Sequence, residues 1–409
     1  MNETRWYNLD NVSFYYASIT KKRRQKVFRF SCYLKDNIDK DYLLIALKET
    51  IHAYPNFHVQ LKKGFFWYYL EESNQDFKVE KEHQSICHKM VFDESNLLYE
   101  VTYYKNRINL EMSHILSDGR GALEFFKLLV TNYVKYNYKK NIRLDSTSSE
   151  MDRVEDSYDK YFKKTNRPKR HNKNIYRYKV PKLKDKTRYY EVHCNVDKVL
   201  ELAHKYEVSL TTYLVALLVY STLQEFKVRD YNKLIKIEIP VDLRGFYNSK
   251  SLKNFFGLIS VDFRPSKGNL EFKDIIRVVH DEMKNRITID NLESRTNKMV
   301  SFQKLIAARM LPLAFKEVGM RAIEKVSSRM RTSNLSNVGV VKFNPIVEKY
   351  VEAISVLCST DDFQFTIVSN KNDLCIGISS VFKYNNIIRN YIRCLKDEDV
   401  DIKVNTEIC

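Results

Sequence analysis

The sequence predicts an α/β (α+β) chain of two lobes, each a mixed sheet covered by helices. Three observations predict it. At 409 residues the chain exceeds what one core comfortably holds. Segments with apolar residues at every second position alternate with segments of helical spacing, and they do so in both halves. Between Lys139 and Lys186 the composition turns polar, with a Ser/Asp-rich patch at Asp145 to Asp152 and a basic run after it. This divides the chain into a first lobe over 1–145, a connection over 146–187 and a second lobe over 188–409. The interface between the lobes is then the natural ligand site.

The first lobe opens with an apolar strand near Val27 to Leu34. A helix near Lys40 to Ala53 follows, with Leu43, Leu44, Leu47 and Ile51 as its stripe and Asp39 as its cap. HVQLKK and FFWYYLEE flank Gly64 as a hairpin, and LYEVTYYKNRINLEMSH supplies two more strands. In the second of these, Ile108, Leu110, Met112 and His114 take alternate positions against Asn109, Glu111 and Ser113, the period of a strand with one buried face. The chain turns at Asp118-Gly119. From Ala122 to Val134 the residues Leu123, Phe126, Leu129, Val130 and Val134 then mark a helix.

The second lobe begins with a strand at Arg188 to Val196 and a helix at Asp197 to Tyr206. A helix from Leu210 to Phe226 has Ser209 in cap position, and a strand at Leu234 to Val241 ends at Pro240. Helical patterns at Leu270 to Asn285 and Met299 to Arg329 precede a strand near Val338 to Phe343. Strands at Val351 to Leu357, Phe363 to Val368 and Leu374 to Ile378 lead to a closing helix at Asn385 to Leu395.

Composition narrows the function classes. Hydrophobic residues at 44% and aromatics at 13% are too many for a disordered chain. The start MNETRWYNLD lacks a basic region followed by an apolar core, so no secretory signal is read. Leu210 to Leu223 is only core-helix length and is interrupted by Thr211, Thr212 and Ser221, which argues against a membrane span. Seven scattered cysteines suit a reduced compartment, with the cytoplasm as the expectation. Lys163 to Arg188 carries twelve basic residues against the single acid Asp185, so +11 of the net +18 lies in one segment. Such a run is either a solvated linker or an attractor for a phosphate-bearing ligand, an acidic carrier protein, anionic lipid or nucleic acid.

Several chemistries leave no trace. Only nine glycines and no GxGxxG or Walker pattern argue against nucleotide chemistry of those kinds. No Gly-x-Ser-x-Gly elbow supplies a hydrolase nucleophile, and neither histidines nor cysteines pair at zinc spacing. What remains is His114 at the junction of a strand, a sharp turn and a helix. Two readings stand: a core histidine bonded to a neighbouring carbonyl, or a neutral imidazole acting as a general base on a hydroxyl, amine or thiol.

The stretch SHILSDG, Ser113 to Gly119, resembles the HxxxDG motif of acyl-CoA-dependent acyltransferases with the chloramphenicol acetyltransferase fold. That superfamily includes alcohol acetyltransferases and the condensation domains of nonribosomal peptide synthesis. IPVDLRGF at Ile239 to Phe246 is similar to its Pro-x-x-x-Arg segment, SLKNFFGLISVDF at Ser251 to Phe263 to its Asn-Phe-x-Gly stretch, and SNLSNVG at Ser333 to Gly339 to its late strand entry. The resemblance spans the whole chain.

It implies a two-lobed pseudo-dimer with an interlobe tunnel and with His114 as the base. Asp118 pairs with an arginine across the lobes, for which Arg244 is the candidate, the alternative being an exposed loop cation. Gly119 allows the tight backbone, and Ser333, Asn337 or nearby amides offer oxyanion or tunnel contacts. No permanently bound cofactor is implied; acyl-CoA is the co-substrate and a small alcohol or amine the acceptor. An acyl carrier protein is the alternative donor partner. Ser113 stands where many condensation domains carry a first histidine, an Asp-Phe-Gly-Trp-Gly motif is absent, and no carrier domain is fused. These departures favour a free-standing enzyme using acyl-CoA. A rival of another class is a protein that binds nucleic acid or anionic membrane through its basic segment, with His114 structural. No motif for RNA or DNA supports it.

Overall fold

The computed structural model describes residues 5–20, 26–87, 95–143, 149–163, 174–184, 186–265, 271–304 and 310–407. Its strands are β1 (Trp6–Asn8), β2 (Val27–Leu34), β3 (Val59–Lys63), β4 (Tyr68–Glu72), β5 (Glu80–Lys81), β6 (Tyr99–Tyr104), β7 (Arg107–Ser113), β8 (Arg188–Asn195), β9 (Ile235–Asp242), β10 (Phe256–Phe263), β11 (Ser333–Val340), β12 (Val351–Cys358), β13 (Phe363–Asn370), β14 (Asp373–Ser380) and β15 (Ile402–Glu407). The longer helices are α1 (Asn11–Ile19), α2 (Lys40–Ala53), α3 (Gly119–Asn137), α4 (Val196–Lys205), α5 (Leu210–Leu223), α6 (Phe272–Arg286), α7 (Ile289–Lys304), α8 (Leu313–Ser327) and α9 (Asn386–Asp397). They surround a five-stranded sheet of order β12-β2-β7-β6-β5, a seven-stranded sheet of order β10-β9-β11-β13-β14-β8-β15, and a small sheet β1-β4-β3.

In the first lobe, β2 and β7 run antiparallel with Val27 opposite Ser113 and Phe28 opposite Met112. Phe28, Phe30, Ile108, Leu110 and Met112 form one core with α2 and α3, and the Phe30 ring lies 5.6 Å from that of Phe126 on α3. Each such side chain, once buried, contributes about 1.5–3 kcal/mol. The expectation of a single buried face on β7 is corrected here, because all seven of its residues are buried. The polar face is covered because it is satisfied from within: Glu111 accepts from Arg29 at 2.7 Å, and Asn109 bonds Ser31 at 2.9 Å. Glu82 accepts from both Arg29 and Arg107. Burying these groups unpaired would be prohibitive.

The second lobe is organised around α5. Its residues are apolar on every side, as suits a helix buried all round, and it packs between α6, α9 and the seven-stranded sheet. Ser209 caps it through a bond from Thr212 N at 3.1 Å. No single described helix is long and apolar enough to cross a membrane.

The structure revises several expectations. The division at residue 188 is crossed by β12, which adds to the first lobe as the antiparallel neighbour of β2, while Val341, Val347 and Val351 join that lobe's core. Among the described residues the helical pattern over 299–329 is not continuous: α7 is described as far as Lys304, residues 305–309 lie outside the described residues, and α8 starts after Pro312, whose missing N–H is tolerated at a helix start. Strand β9 passes through Pro240 to Asp242. Strand β11 begins at Ser333, five residues before the expected Val338, because Ser and Asn residues carry no apolar alternation. It pairs with β9 only at Ser333 and Asn334, and then the two strands part near Pro240, which has no N–H to continue a ladder. Neither α1 nor β15 was expected.

Of the basic run, residues 164–173 and Asp185 lie outside the described residues. The described part follows the second lobe, with Ile175 bridged to Leu234 and Lys182 to Phe382. Lys163 pairs with Glu293 at 3.0 Å and Lys182 with Asp362 at 2.6 Å.

Candidate active site

His114 is the first residue after β7, and its backbone N–H donates to the Lys26 carbonyl at 2.9 Å, extending the ladder by one step. The β7 alternation then directs its ring to the apolar side. Tyr16 of α1 stacks on the imidazole at 5.0 Å with an interplanar angle of 26°, and Phe28 meets it at 4.6 Å. This enclosure fixes the protonation state. Burial pushes the His114 pKa down to about 4; the Asp118 carboxylate opposes the shift and Lys26 adds to it. At neutral pH the ring is therefore an uncharged imidazole. Its Nδ1 is buried without a hydrogen-bond partner, and so is Oδ1 of Asn254. The Asn254 side chain and the Ser117 backbone lie close enough to favour the charged ring.

The turn that follows is clamped to the second lobe. Asp118 caps α3, accepting from Arg120 N at 3.1 Å and Gly121 N at 2.9 Å. The same carboxylate accepts from Arg244 Nη1 at 3.0 Å and Nη2 at 3.1 Å, and from Phe255 N at 2.8 Å. Arg244 in turn donates to the carbonyls of Ser251 and Lys253 and to Asp242. Neighbouring carboxylates raise its pKa against the opposing effect of burial. The expected Asp118–Arg244 pairing is thus present and bidentate, where Arg geometry matters. Ser117 Oγ adds a bond to the Leu252 carbonyl at 2.5 Å.

The expectation for Gly119 is corrected. A Cβ there would meet nothing within 4 Å, and its backbone is not left-handed. The glycine that the turn requires is Gly121, where a Cβ would lie 2.2 Å from the Leu252 carbonyl oxygen and 2.4 Å from Ser117 Oγ. The close approach is between the first turn of α3 and the opposite lobe.

Ser333 and Asn337 both lie on β11. Ser333 donates its hydroxyl proton to the Phe363 carbonyl at 2.9 Å, and Asn337 donates to Thr211 Oγ1 at 2.8 Å. Asn337 Oδ1 accepts from Gly339 N, at a bulge where Gly339 has φ of +90°. No described hydrogen bond joins either residue to His114. A cavity of about 580 Å³ is lined by residues including Val341, Phe343, Pro345 and Lys371, and its lining does not include His114.

Residues that sequence reasoning passed over complete the site. Asn254, the first residue of the Asn-Phe-x-Gly stretch, donates through Nδ2 to the His114 carbonyl at 3.1 Å and to Asp10 and Ser13. Asp10 is a buried carboxylate that caps α1 and accepts from Val12 N, Ser13 N and Asn254 N, while burial pushes its pKa up. The signal for Asp10 was the cap-like Asp before an apolar run. Nothing in sequence spacing could pair Tyr16 with His114.

No family model matches the sequence, and no curated protein sequence matches it. Solved structures do resemble it. The TRI3 trichothecene 15-O-acetyltransferase from Fusarium sporotrichioides aligns over 97% of this chain and 94% of its own, with a TM-score of 0.64 and 11% identity. TRI101 of F. graminearum, solved with coenzyme A and T-2 mycotoxin, covers 97% of this chain and 99% of its own, with a TM-score of 0.66 and 9% identity. The epimerization domain from the third module of tyrocidine synthetase B covers 97% and 95%, with a TM-score of 0.61 and 12% identity. Together with the two sheets and the clamped turn, these likenesses establish the fold: the chain has a two-lobed α/β fold of the chloramphenicol acetyltransferase-like kind.

Proposed function

We propose that the protein is an acyltransferase that moves an acyl group from acyl-CoA to a hydroxyl or amine acceptor, with His114 as general base. The observation that carries this reading is an imidazole kept neutral by burial, on a turn locked to the opposite lobe through Asp118 and Arg244. The coenzyme A complex of TRI101 and the acetyltransferase TRI3, alike in fold, support the donor and the reaction class.

In the proposed step His114 takes the acceptor proton as the acceptor oxygen or nitrogen attacks the thioester carbonyl. A C–O or C–N bond forms, the C–S bond breaks, and the departing thiolate receives the proton from the imidazolium. No covalent enzyme intermediate is needed. The substrates enter along the seam between the lobes. Of the two candidate oxyanion donors, Asn337 keeps a second N–H beyond the one given to Thr211, whereas Ser333 has spent its only O–H proton; we assign the role to Asn337 or a neighbouring amide. The likeness to the epimerization domain of tyrocidine synthetase B supports a second reading, in which the thioester is carried by an acyl carrier protein.

The test is release of free thiol from a panel of acyl-CoA donors with mixed alcohols and amines, using wild type and His114→Ala. Acceptor-dependent release that falls by about two to four orders of magnitude in the variant supports the base. Release only from acyl carrier thioesters transfers the proposal to the second reading. Equal release by both proteins returns His114 to a core histidine.

A further inference from the structure

Helix α8 is turned inside out. Its charged residues Lys316 and Glu317 are only 9% and 7% exposed, whereas Phe315 is 64%, Val318 65% and Val326 56% exposed. The inward charges are held by partners. Lys316 Nζ donates to the Phe66 carbonyl at 3.0 Å and sits 3.5 Å from the centroid of the Trp67 ring. Glu317 accepts from Lys63 at 2.7 Å, from Arg321 at 2.9 Å and from the Tyr68 hydroxyl. Glu324 accepts from the Tyr15 hydroxyl of α1.

These partners tie α8 to the tip of the β3–β4 hairpin, and Leu313 N also donates to the Phe65 carbonyl at 2.9 Å. The tip adds the outward rings of Phe65, 71% exposed, and of Phe66 and Trp67. The result is an apolar and aromatic surface built from two elements tied together by these contacts. A soluble helix places its apolar stripe on the core, so a stripe facing outward calls for an apolar cover.

The charges on this surface identify the cover. On α8 and the turn after it, both acids are engaged inward, while Lys325 and Arg329 are exposed. Aromatic and aliphatic side chains rimmed by cations are the composition that enters the boundary of an anionic bilayer. A second copy of the chain is disfavoured, since two such cationic faces on a +18 protein repel.

We propose that α8 and the Phe65–Trp67 hairpin tip form a peripheral docking surface for anionic lipid membranes. It uses none of the residues of the basic run at Lys163 to Arg188 and does not depend on the acyl-transfer reading. The test is flotation of the purified protein with vesicles of phosphatidylcholine alone or with about 30 mol% phosphatidylglycerol. The wild type is expected to float at least about tenfold better on anionic vesicles, and Phe65→Ser/Phe315→Ser/Val318→Ser to lose at least about tenfold of that binding at equal salt. Because a triple variant can misfold, a Trp6→Phe protein supplies the second reading: Trp67 fluorescence should shift to the blue on anionic vesicles. Absence of flotation overturns the proposal, as does a folded triple variant that floats like the wild type, which would put the attraction in the basic run. A concentration-dependent dimer that the triple variant abolishes, with no vesicle binding, also overturns it and gives the surface to a second copy.

Discussion

Arg244 holds Asp118 through both terminal nitrogens across the seam between the lobes, and Asp118 simultaneously caps the helix that follows His114. The arginine is therefore one of three supports for a buried carboxylate, the others being the first turn of α3 and Phe255 N. Arg244→Ala leaves that carboxylate without its countercharge and is expected to cost about 3–5 kcal/mol in urea unfolding. Arg244→Lys keeps a charge but loses the fork and its carbonyl contacts, so its loss should be intermediate. Turnover measured below the melting range should fall in both, because the turn that aims the imidazole is loosened.

The protonation of His114 sets the pH dependence. Burial lowers its pKa to about 4, so the base is competent at neutral pH and the rate should fall only as pH drops through about 4, not through the usual 6.5. The neighbours give signed controls. Asp118→Asn removes the charge that holds the pKa up, so the acid limb moves to lower pH, whereas Lys26→Met removes a cation and moves it to higher pH. Stability follows the same linkage: the unfolded histidine binds a proton that the folded one refuses. Stability is thus lost as pH falls from 6.5 toward 4, and His114→Gln should flatten that loss. Denaturant titrations at several pH values check it.

Two glycines two positions apart in the motif region make opposite predictions. Gly121→Ala drives a methyl into the Leu252 carbonyl and should destabilise by about 1–3 kcal/mol, with the lobes displaced at the seam. Gly119→Ala meets open space in the first turn of a helix and should be neutral or stabilise by up to about 1 kcal/mol. Melting temperatures of the two variants decide between this assignment and a requirement for glycine at 119.

Local patterns made much of the fold legible. Strand β2 and helix α2 fall where alternation and the Asp39 cap put them, because each has an apolar face with its own period. The site was legible only as far as the motif reached: His114, Asp118 and Arg244 meet, since the resemblance linked distant segments that no period connects. Tyr16, Asp10 and Asn254 were not foreseen, because stacking on the imidazole and bonding to its carbonyl are tertiary facts. The same holds for β12, whose apolar pattern suits either sheet and whose lobe is decided by its pairing with β2. Polar residues misled most on β7, where Glu111 and Asn109 are buried because distant partners satisfy them.

Asn254 offers the sharpest separation of positioning from binding. Its Nδ2 holds the His114 carbonyl and Asp10, its Oδ1 and the Nδ1 of the ring each lack a hydrogen-bond partner, and the side chain lies near enough to the ring to favour its charged form. Catalytic hydrogen bonds are often long in a free site and tighten when substrate is bound. Closure of that gap would make Nδ1–H the donor to Asn254 and leave Nε2 as the atom that takes the acceptor proton. Asn254→Ala removes this tautomer control along with a support of the turn, and is expected to lower kcat about 10- to 100-fold. KM for both substrates should change little, because the side chain reaches the ring and its carbonyl and is not required to touch either substrate. A variant with unchanged kcat and raised KM would instead place Asn254 against the substrate, and the ring would then need another donor to fix its tautomer.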